Sequence, residues 1–309
     1  MASVTHADVL AAAQRIGGRV HRTPTFSSAT LGAEVWLKAE LFQKTGSFKV
    51  RGVLNKLASL SPEQKANGVI GISAGNHAQA LAWGAAAEGV DCLVVTWRSA
   101  SAAKLAATRG YGAAVDLESD DPAEAFERLA VLLEESGRTL VHPFDDPAVI
   151  AGAGTVGLEL LEDAPEVETI LVPGGGGGLV AGIAAAAPDR RVVVVEPELS
   201  TAVHAGLEAG HSVPVTPASI ADGLSAPFAG DVALEILRAH DVQSVLVTEA
   251  EVEDAFRFLY ERAKLACEPA AAVGVAALRA GKIESRAVGV VVSGGNVNPE
   301  TASAILALQ

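Results

Sequence analysis

The chain has 309 residues, of which 50% are hydrophobic and 19% charged, and its formal net charge is −14. This composition excludes a disordered protein, and the negative charge argues against nucleic acid and anionic membrane surfaces as partners. Neither of the two cysteines, Cys92 and Cys267, has the spacing of a metal site, and the N-terminal segment lacks a signal-peptide core, so we expect a cytoplasmic protein without disulfides.

Short β-branched runs alternate along the chain with runs rich in alanine and leucine. An amphipathic helix is predicted to begin near Thr5. The predicted strands are, in chain order, 34–40, 68–73, 91–96, 113–118, 139–144, 169–174, 191–197, 244–249 and 287–295. The predicted helices between them include 76–88, 101–109, 122–136, 179–187 and 251–266.

Near-continuous apolar strands that alternate with helices are typical of parallel sheets covered on both faces. The sequence therefore predicts an α/β protein with two domains, each a mostly parallel open sheet with helices on both faces. We expect residues 1–67 and 147–309 to form the large domain and residues 68–146 the small one. Ligands of such sheets bind at the carboxyl ends of the strands, where this sequence places glycine, amide, hydroxyl and carboxylate groups.

Five consecutive glycines, 174–178, stand between a predicted strand and a predicted helix in "VPGGGGGLVAG". Glycine costs about 1 kcal/mol relative to alanine in ordered structure, so a ligand or a close contact must compensate. A strand, a glycine loop and a helix start bring several backbone N–H groups to one point, which favours an anion. No Gly-Lys-Ser/Thr follows, so the loop predicts a phosphate group but not a nucleoside triphosphate.

A second glycine motif, "GAGTVG" at 152–157, has the G-x-G-x-x-G spacing of a dinucleotide site. It does not follow a predicted strand, and a lone match to this pattern is weak evidence. We interpret these glycines as packing residues at a helix start. The motif nevertheless keeps a nicotinamide-dependent oxidoreductase open as an alternative.

Lys49 lies in "KTGSFKVRG", after a turn of small residues, Thr45 to Ser47, that offers a capping hydroxyl for a helix. Around it stand, in chain order, "LKAELFQKTGSFKVRG", "SAGNHAQALA", "HPFDDPAVIAGAGT", "GGGGLVAG", "ADG", "EPAAAVGVAA" and "VVSGGN". Together these motifs, which span about residues 20–298, resemble the pyridoxal-phosphate enzymes of the threonine dehydratase and serine racemase family, of fold type II. The resemblance implies pyridoxal phosphate as cofactor, an amino acid as substrate and a homodimer.

The resemblance implies that Lys49 carries the cofactor as an internal Schiff base and removes the α-proton of the substrate. The residues that it assigns to the cofactor are Phe48, Lys49, Asn76, Gly175, Gly176, Gly177, Gly178, Leu179, Gly223 and Ser293. The residues that it assigns to the substrate carboxylate are Ser73, Ala74, Gly75 and His77. Gly223, His77 and Glu268 each have a second interpretation as purely structural residues.

Departures from the family pattern bear on the reaction. Ala74 stands where serine racemases place a serine, so the second acid/base that a racemase needs is missing. Glu196 is present, but Ala202 replaces the second carboxylate of the metal-binding members, so we expect no metal site. The resemblance therefore predicts a dehydratase that converts a β-hydroxy amino acid, preferably L-threonine or L-serine, to a 2-oxo acid and ammonia.

Several alternatives stay open from the sequence. The chain has the residues of a serine-racemase-type racemase apart from Ala74. The loop at 96–107, with its atypical Trp97, and Ala153 in place of a glutamine leave room for 3-hydroxyaspartate or phenylserine as substrate. A catalytically silent amino-acid-binding protein is the remaining class, against which the intact Lys49 argues.

Overall fold

The computed structural model describes residues 4–32 and 34–307. The strands are β1 (Thr25–Ser27), β2 (Val35–Ala39), β3 (Val69–Ile72), β4 (Cys92–Trp97), β5 (Ala114–Ser119), β6 (Thr139–Leu140), β7 (Thr169–Pro173), β8 (Arg191–Pro197), β9 (Gln243–Val247) and β10 (Val288–Val292). The helices are α1 (His6–Ile16), α2 (Lys49–Ala58), α3 (Pro62–Asn67), α4 (Asn76–Glu88), α5 (Ala102–Gly110), α6 (Pro122–Ser136), α7 (Pro147–Asp163), α8 (Gly178–Ala186), α9 (Ala202–Ala209), α10 (Asp231–Ala239), α11 (Glu249–Glu261), α12 (Pro269–Arg279) and α13 (Pro299–Ala307).

The strands form two separate sheets. The larger sheet has six strands in the order β1-β2-β10-β7-β8-β9, all parallel except that β1 pairs antiparallel with β2. The smaller sheet has four parallel strands in the order β5-β4-β3-β6. The prediction of an α/β fold with two mostly parallel sheets is confirmed. The domain limits at 67/68 and 146/147 stay a prediction.

Helices cover both faces of the larger sheet, which explains why its strands are apolar throughout. Ile170 and Val172 of β7 pack in one core together with α7 and α8. Leu171, between them, packs in a second core with α11 and α12. Successive side chains of a strand point to opposite faces, so a strand buried on both sides needs an apolar residue at every position.

The structure differs from the predicted strands in two places. The predicted strand 139–144 pairs only at Thr139 and Leu140. Pro143 has no N–H for a ladder, and the N–H of Asp145 donates to the ring of His142 at 2.8 Å, so the chain turns there. The antiparallel edge strand β1 was not predicted, since its three residues carry too little pattern.

The glycines of "GAGTVG" lie inside α7, not at a helix start as predicted. The helix begins at Pro147, where Asp146 caps the N–H groups of Ala148 and Val149. A Cβ added at Gly154 would lie 2.4 Å from the carbonyl oxygen of Gly182 in α8. The glycines therefore allow two helices to approach closely, and the predicted packing role is the one that the structure shows.

A buried ionic cluster lies beneath α2. The Arg51 guanidinium donates to both carboxylate oxygens of Glu40 at 2.8 Å and to those of Glu159 at 2.7 and 2.8 Å. Arg51 and Glu40 are both 0% exposed. The Lys38 amine lies 2.9 Å from Glu159 and donates to the Thr23 carbonyl. Each buried charge thus has an opposite charge within hydrogen-bond reach, which fixes α2 against β2 and α7.

Within the described residues, no helix combines the length and the apolar character that a membrane span requires.

Candidate active site

A cavity of about 510 Å³ lies between the two sheets at the carboxyl ends of their strands. Every residue that the sequence analysis assigned to cofactor or substrate lines this cavity: Phe48, Lys49, Ser73, Ala74, Gly75, Asn76, His77, Gly175, Gly176, Gly177, Gly178, Leu179, Gly223 and Ser293. Glu268 lines it as well. Segments that are far apart in sequence therefore converge on one site. The role of each residue stays a prediction at this point.

Lys49 is the first residue of α2 and projects its amine into the cavity wall. The amine donates to the carbonyl oxygen of Pro143 at 2.7 Å and lies 5.2 Å from the centre of the Phe48 ring. Burial lowers the pKa of Lys49 to about 8, although the nearby Glu268 carboxylate raises it. An amine with this pKa is neutral in a sizeable fraction of molecules near neutral pH, as a nucleophile or base requires.

The turn before Lys49 does not cap α2 as predicted. The buried hydroxyls of Thr45 and Ser47 have no hydrogen-bond partner within the described residues. Phe48 occupies the capping position without a side-chain bond. The turn is shaped by the backbone: Thr45 and Gly46 have φ angles of 61° and 74°, and Ser47 then pairs with Gly294 after β10. Gly46 suits this left-handed conformation, whereas Thr45 is strained in it.

The glycine loop links β7 to α8. Within the described residues, the N–H groups of Gly175, Gly176 and Gly177 donate no hydrogen bond. They stand at the N-terminus of α8, whose own first N–H groups lack intrahelical partners. Gly177 has a φ of 89°, and a Cβ at Gly176 would lie 2.1 Å from the Phe144 ring. The loop therefore offers free donors and a positive helix end to an anion, and close packing explains why a side chain is excluded at Gly176.

Asn76, the first residue of α4, sits between two polar side chains. Its Nδ2 donates to Glu268 Oε1 at 2.8 Å, and its Oδ1 accepts from Asn296 Nδ2 at 2.8 Å. Burial raises the pKa of Glu268 to about 7, and the bond from Asn76 opposes this shift. The cavity thus holds an amine and a carboxyl that both titrate near neutral pH, which is typical of an active site.

The family model described as "Pyridoxal-phosphate dependent enzyme" matches residues 16–294. The chain belongs to this family. Among curated relatives, the enzyme is 41% identical to L-threonine ammonia-lyase of Thermotoga maritima over 96% of this chain and 76% of that protein. It is 38% identical to the L-threonine dehydratase catabolic TdcB of Escherichia coli over 96% of this chain and 94% of that protein.

Solved structures agree with the assignment of this chain to the pyridoxal-phosphate-dependent enzymes. Maize serine racemase superposes with a TM-score of 0.93 at 35% identity, over 98% of this chain and 97% of the maize chain. The threonine deaminase of T.th. superposes with a TM-score of 0.88 at 39% identity, over 95% of this chain and 99% of that one. Pyridoxal phosphate is therefore the cofactor of this chain, as the sequence predicted.

The ring of His77 in this pyridoxal-phosphate enzyme is a buried structural group. Its Nε2 lies 2.8 Å from the Val141 carbonyl oxygen, to which it donates. Burial, together with the charge of Lys49, lowers the pKa of His77 to about 3, so the ring is neutral. The side chain holds α4 against the end of β6. Only the backbone of His77, at the N-terminus of α4, is available for the predicted substrate contact.

The segment between β3 and α4 forms a polar corner of the cavity. The N–H of Gly75 donates to the hydroxyl of Ser73 at 3.1 Å. Ala74, between them, presents a methyl group. Across the cavity, the carbonyl oxygen of Ser293 accepts from the N–H of Phe48 at 3.1 Å, which leaves the Ser293 hydroxyl for the cavity.

The Glu196 carboxylate is bonded to the N-terminus of α9. It accepts from the N–H of Val203 at 3.0 Å and from the N–H of His204 at 2.8 Å. Burial raises the pKa of Glu196 to about 7, and the two N–H bonds oppose that shift. Over residues 4–32 and 34–307, no group of three His, Cys, Asp or Glu side chains is placed to hold a metal ion.

Sequence reasoning missed several residues in or next to the cavity wall. Phe144 underlies the glycine loop, and its only signal was its place in "HPFDDP". Lys104 of α5 forms an ion pair with Asp222, which follows α9. The pair connects a helix that lies between strands of the smaller sheet to a segment that lies between strands of the larger sheet. Asn296 was inside the quoted motif "VVSGGN" but carried no assigned role. Each of these contacts joins residues that are distant in sequence, and no local pattern reports such contacts.

Proposed function

We propose that the chain is a pyridoxal-phosphate-dependent ammonia-lyase that converts L-threonine or L-serine to the 2-oxo acid and ammonia. The observation that carries the proposal is that the cavity is lined by both Lys49 and Ala74. The Lys49 amine in the cavity has a pKa of about 8, and Ala74 places a methyl group where a second proton donor would have to stand for racemisation. Relatives at 38% to 41% identity over 96% of the chain are named for the same reaction with L-threonine.

The residues of the cavity fit the cofactor. The free N–H groups of Gly175, Gly176 and Gly177 and the N-terminus of α8 suit its phosphate. Lys49, desolvated at the opposite wall, suits its aldehyde, and Phe48 packs beside it. When bound, pyridoxal phosphate acts as an electron sink that makes the α-proton of an amino acid acidic.

Other side chains set how strongly the ring is activated. The Ser293 hydroxyl, which lines the cavity, would hold the ring nitrogen, and a hydroxyl would not protonate that nitrogen as a carboxylic acid would. The Asn76 amide would donate to the phenolic oxygen of the cofactor, and Gly223 lines the same cavity. A weakly activated ring favours rapid departure of the β-hydroxyl over the exchange of the α-proton between faces.

Lys49 moves the protons. Its neutral amine accepts the α-proton of the substrate, for which desolvation prepares it. The substrate carboxylate binds the backbone N–H groups at the N-terminus of α4, in the corner formed by Ser73, Ala74 and Gly75. Loss of the α-proton and the β-hydroxyl removes one water, and hydrolysis of the resulting enamine consumes one water and releases ammonia with the 2-oxo acid.

We also propose a cytoplasmic homodimer. The net charge of −14 favours solubility in water. An exposed aromatic pair, Phe26 and Phe42, lies at the edge strand β1 with the two side chains 41% and 50% exposed. Light scattering at micromolar concentration tests this part, since a mass of one chain contradicts it.

The first experiment measures 2-oxo acid release with added pyridoxal phosphate from L-threonine, L-serine, D-serine, threo-3-hydroxyaspartate and phenylserine. We expect turnover of L-threonine or L-serine, and a loss of at least about a thousandfold in Lys49→Ala, which removes the base. Interconversion of serine enantiomers without 2-oxo acid would replace the proposal by a racemase, which the similarity to maize serine racemase makes the second candidate. Full activity in Lys49→Ala would reject both.

A further inference from the structure

Asn296 joins three parts of the active site without lining the cavity. It lies three residues after Ser293, in the loop between β10 and α13. Its Nδ2 donates to the carbonyl oxygen of Thr45 and to Oδ1 of Asn76, each at 2.8 Å. Its backbone lies close enough to the Glu268 carboxylate to lower the pKa of that group. One residue thus contacts the turn before Lys49, the start of α4 and the buried carboxyl.

The contact with Asn76 decides which way the Asn76 amide faces. An asparagine amide has an acceptor on one side and donors on the other. Because Asn296 places a donor against Asn76 Oδ1, Asn76 Nδ2 must point the other way, where it donates to Glu268 at 2.8 Å and faces the cavity. Within the described residues, Asn296 is the donor to Asn76 Oδ1, and the Glu268 carboxylate accepts from the other side of the same amide, so the two contacts fix one orientation together.

The contact with Thr45 fixes the turn that leads into Lys49. Gly46, with a φ of 74°, packs directly on Asn296, because a Cβ there would lie 2.6 Å from Asn296 Oδ1. The N–H of Gly295 donates to the carbonyl oxygen of Gly46 at 2.9 Å. The left-handed backbone at Thr45 and Gly46 is therefore held by the loop that carries Asn296, since strained conformations persist only where the surroundings fix them.

We propose that Asn296 is a positioning residue that orients the Asn76 amide so that its N–H group, and not its oxygen, faces the cofactor ring. This inference rests on the proposed function, in which Asn76 donates to the phenolic oxygen of pyridoxal phosphate. An acceptor turned toward that oxygen would repel it and change the protonation of the ring system, which absorbs visible light.

Charged groups around Glu268 must be considered in any test. The Asp222 carboxylate raises the pKa of Glu268, whereas the Lys104 amine lowers it. The Glu268 charge in turn raises the pKa of Lys49. A carboxylate introduced at residue 296 would change these pKa values through its charge, in addition to any effect on the orientation of the Asn76 amide. The test therefore needs a control with the same change of charge in the same loop.

The substitution Asn296→Asp supplies the test, and Asn298→Asp is the control. Aspartate has the shape of asparagine but offers only acceptors when ionised. We expect Asn76 to reverse its amide in Asn296→Asp, so that Nδ2 donates to residue 296 and Oδ1 faces the ring. Asn298 contacts the Ser101 hydroxyl at 3.3 Å and does not touch Asn76, so the control adds the same charge without the reversal.

Two readouts are measured on the holoenzyme: the visible absorption spectrum of bound pyridoxal phosphate across pH, and the dissociation constant of the cofactor. We expect Asn296→Asp to shift the absorption maximum and to weaken binding about tenfold, as the loss of one hydrogen bond at a buried site predicts. Asn298→Asp should match the wild type in both. Equal shifts in the two variants would assign the effect to charge and overturn the inference.

The outcomes separate this inference from the proposed function. If the wild type binds pyridoxal phosphate and releases 2-oxo acid while Asn296→Asp keeps the wild-type spectrum and affinity, the positioning role is wrong and the lyase proposal stands. If the wild type binds no pyridoxal phosphate, both are wrong. Should Asn296→Asp fail to fold, Asn296→Ala removes the donor without a charge, and an unchanged spectrum and affinity in that variant overturns the inference.

Discussion

The two ends of the active-site cavity are built in different ways. At one end, the glycine loop (174–178) presents backbone N–H groups, and its shape is set by contacts with Phe144 and with Glu196. At the other end, which we call the lysine side, three side chains form the wall, Lys49, Asn76 and Glu268, and Asn296 lies behind them. The backbone N–H groups that the first end presents to the cavity do not titrate, whereas Lys49 and Glu268 have pKa values of about 8 and about 7.

The difference follows from what each end has to do. An anion that carries no reacting atom needs fixed donors, and a backbone loop provides them without loss of side-chain entropy. A group that takes up and releases protons needs side chains whose pKa values lie near the working pH. We therefore expect the glycine loop to be sensitive to volume and the lysine side to be sensitive to charge.

The largest loss of stability should come from breaking the buried ion pairs of Arg51, which lie beneath the lysine side. Arg51→Met leaves Glu40, which is 0% exposed, as an uncompensated buried carboxylate. We expect a loss of about 3–5 kcal/mol in the free energy of unfolding, measured by urea titration. The exposed pair Arg98–Asp120 is the control, since Arg98→Met should cost at most about 1 kcal/mol. Equal losses would show that α2 does not depend on the buried cluster.

A smaller effect is expected from added volume in the glycine loop. The Cβ of Gly176→Ala would lie 2.1 Å from the Phe144 ring, so either the ring or the loop must move. We expect a loss of about 1–3 kcal/mol in unfolding free energy and weaker binding of pyridoxal phosphate. In Gly175→Ala the nearest atom, the Cα of Leu224, would be 3.4 Å away, so the apoprotein should lose at most about 1 kcal/mol. A reversed order would contradict the packing argument.

The charge sensitivity of the lysine side is tested through pH. The pKa of Lys49 is lowered from 10.5 to about 8, so the neutral fraction of its amine rises through pH 8. Reductive trapping of pyridoxal phosphate on Lys49 in the apoenzyme should therefore reach half its maximal rate near pH 8. The Glu268 carboxylate raises the pKa of Lys49, so Glu268→Gln should move this midpoint to lower pH.

An unchanged midpoint in Glu268→Gln would show that the two groups do not interact, and a midpoint near pH 10.5 in the wild type would show that Lys49 is fully hydrated. Asp254→Asn serves as a neutralising control, since Asp254 pairs with Arg279 on the surface. Its trapping profile should superpose on that of the wild type.

The smallest effect is expected at the ion pair that joins the two sheets across the cavity mouth. Lys104 and Asp222 have side-chain exposures of 14% and 57%. Solvent screens such a pair, so a double-mutant cycle with Lys104→Met and Asp222→Asn should give a coupling of at most about 1 kcal/mol. A larger coupling would mean that this pair, and not the lysine side alone, holds the cavity walls together.

Much of this architecture was readable from the sequence, and the limits of that reading have physical causes. The strands of the larger sheet are apolar at every position because both faces are buried, so β7 and β8 were found within one residue of their ends. The glycine loop was conspicuous because five glycines are costly unless something requires them. The family motifs then brought every assigned residue to one cavity.

The unpredicted features are contacts between distant residues. Asn76 meets Glu268 and Asn296 across 192 and 220 residues of sequence, and no periodicity encodes such pairs. The hydroxyls of Thr45 and Ser47 suggested a helix cap, but the pairing of Ser47 with Gly294 draws that strand-like segment away from α2. The glycines of α7 were placed at a helix start because the partner helix that requires them was not visible in the sequence.

The order of strands in the larger sheet has a consequence for the making of the protein. β10, which follows every other strand of the described residues in chain order, lies between β2 and β7 near the centre of the sheet. Until the ribosome has translated β10, the pair β1–β2 cannot be joined to β7, β8 and β9 in one sheet, because β10 is the strand that hydrogen-bonds to both β2 and β7. The smaller sheet, by contrast, has all of its strands once Leu140 has emerged. A nascent chain therefore carries one finished sheet and one divided sheet until β10 has left the exit tunnel.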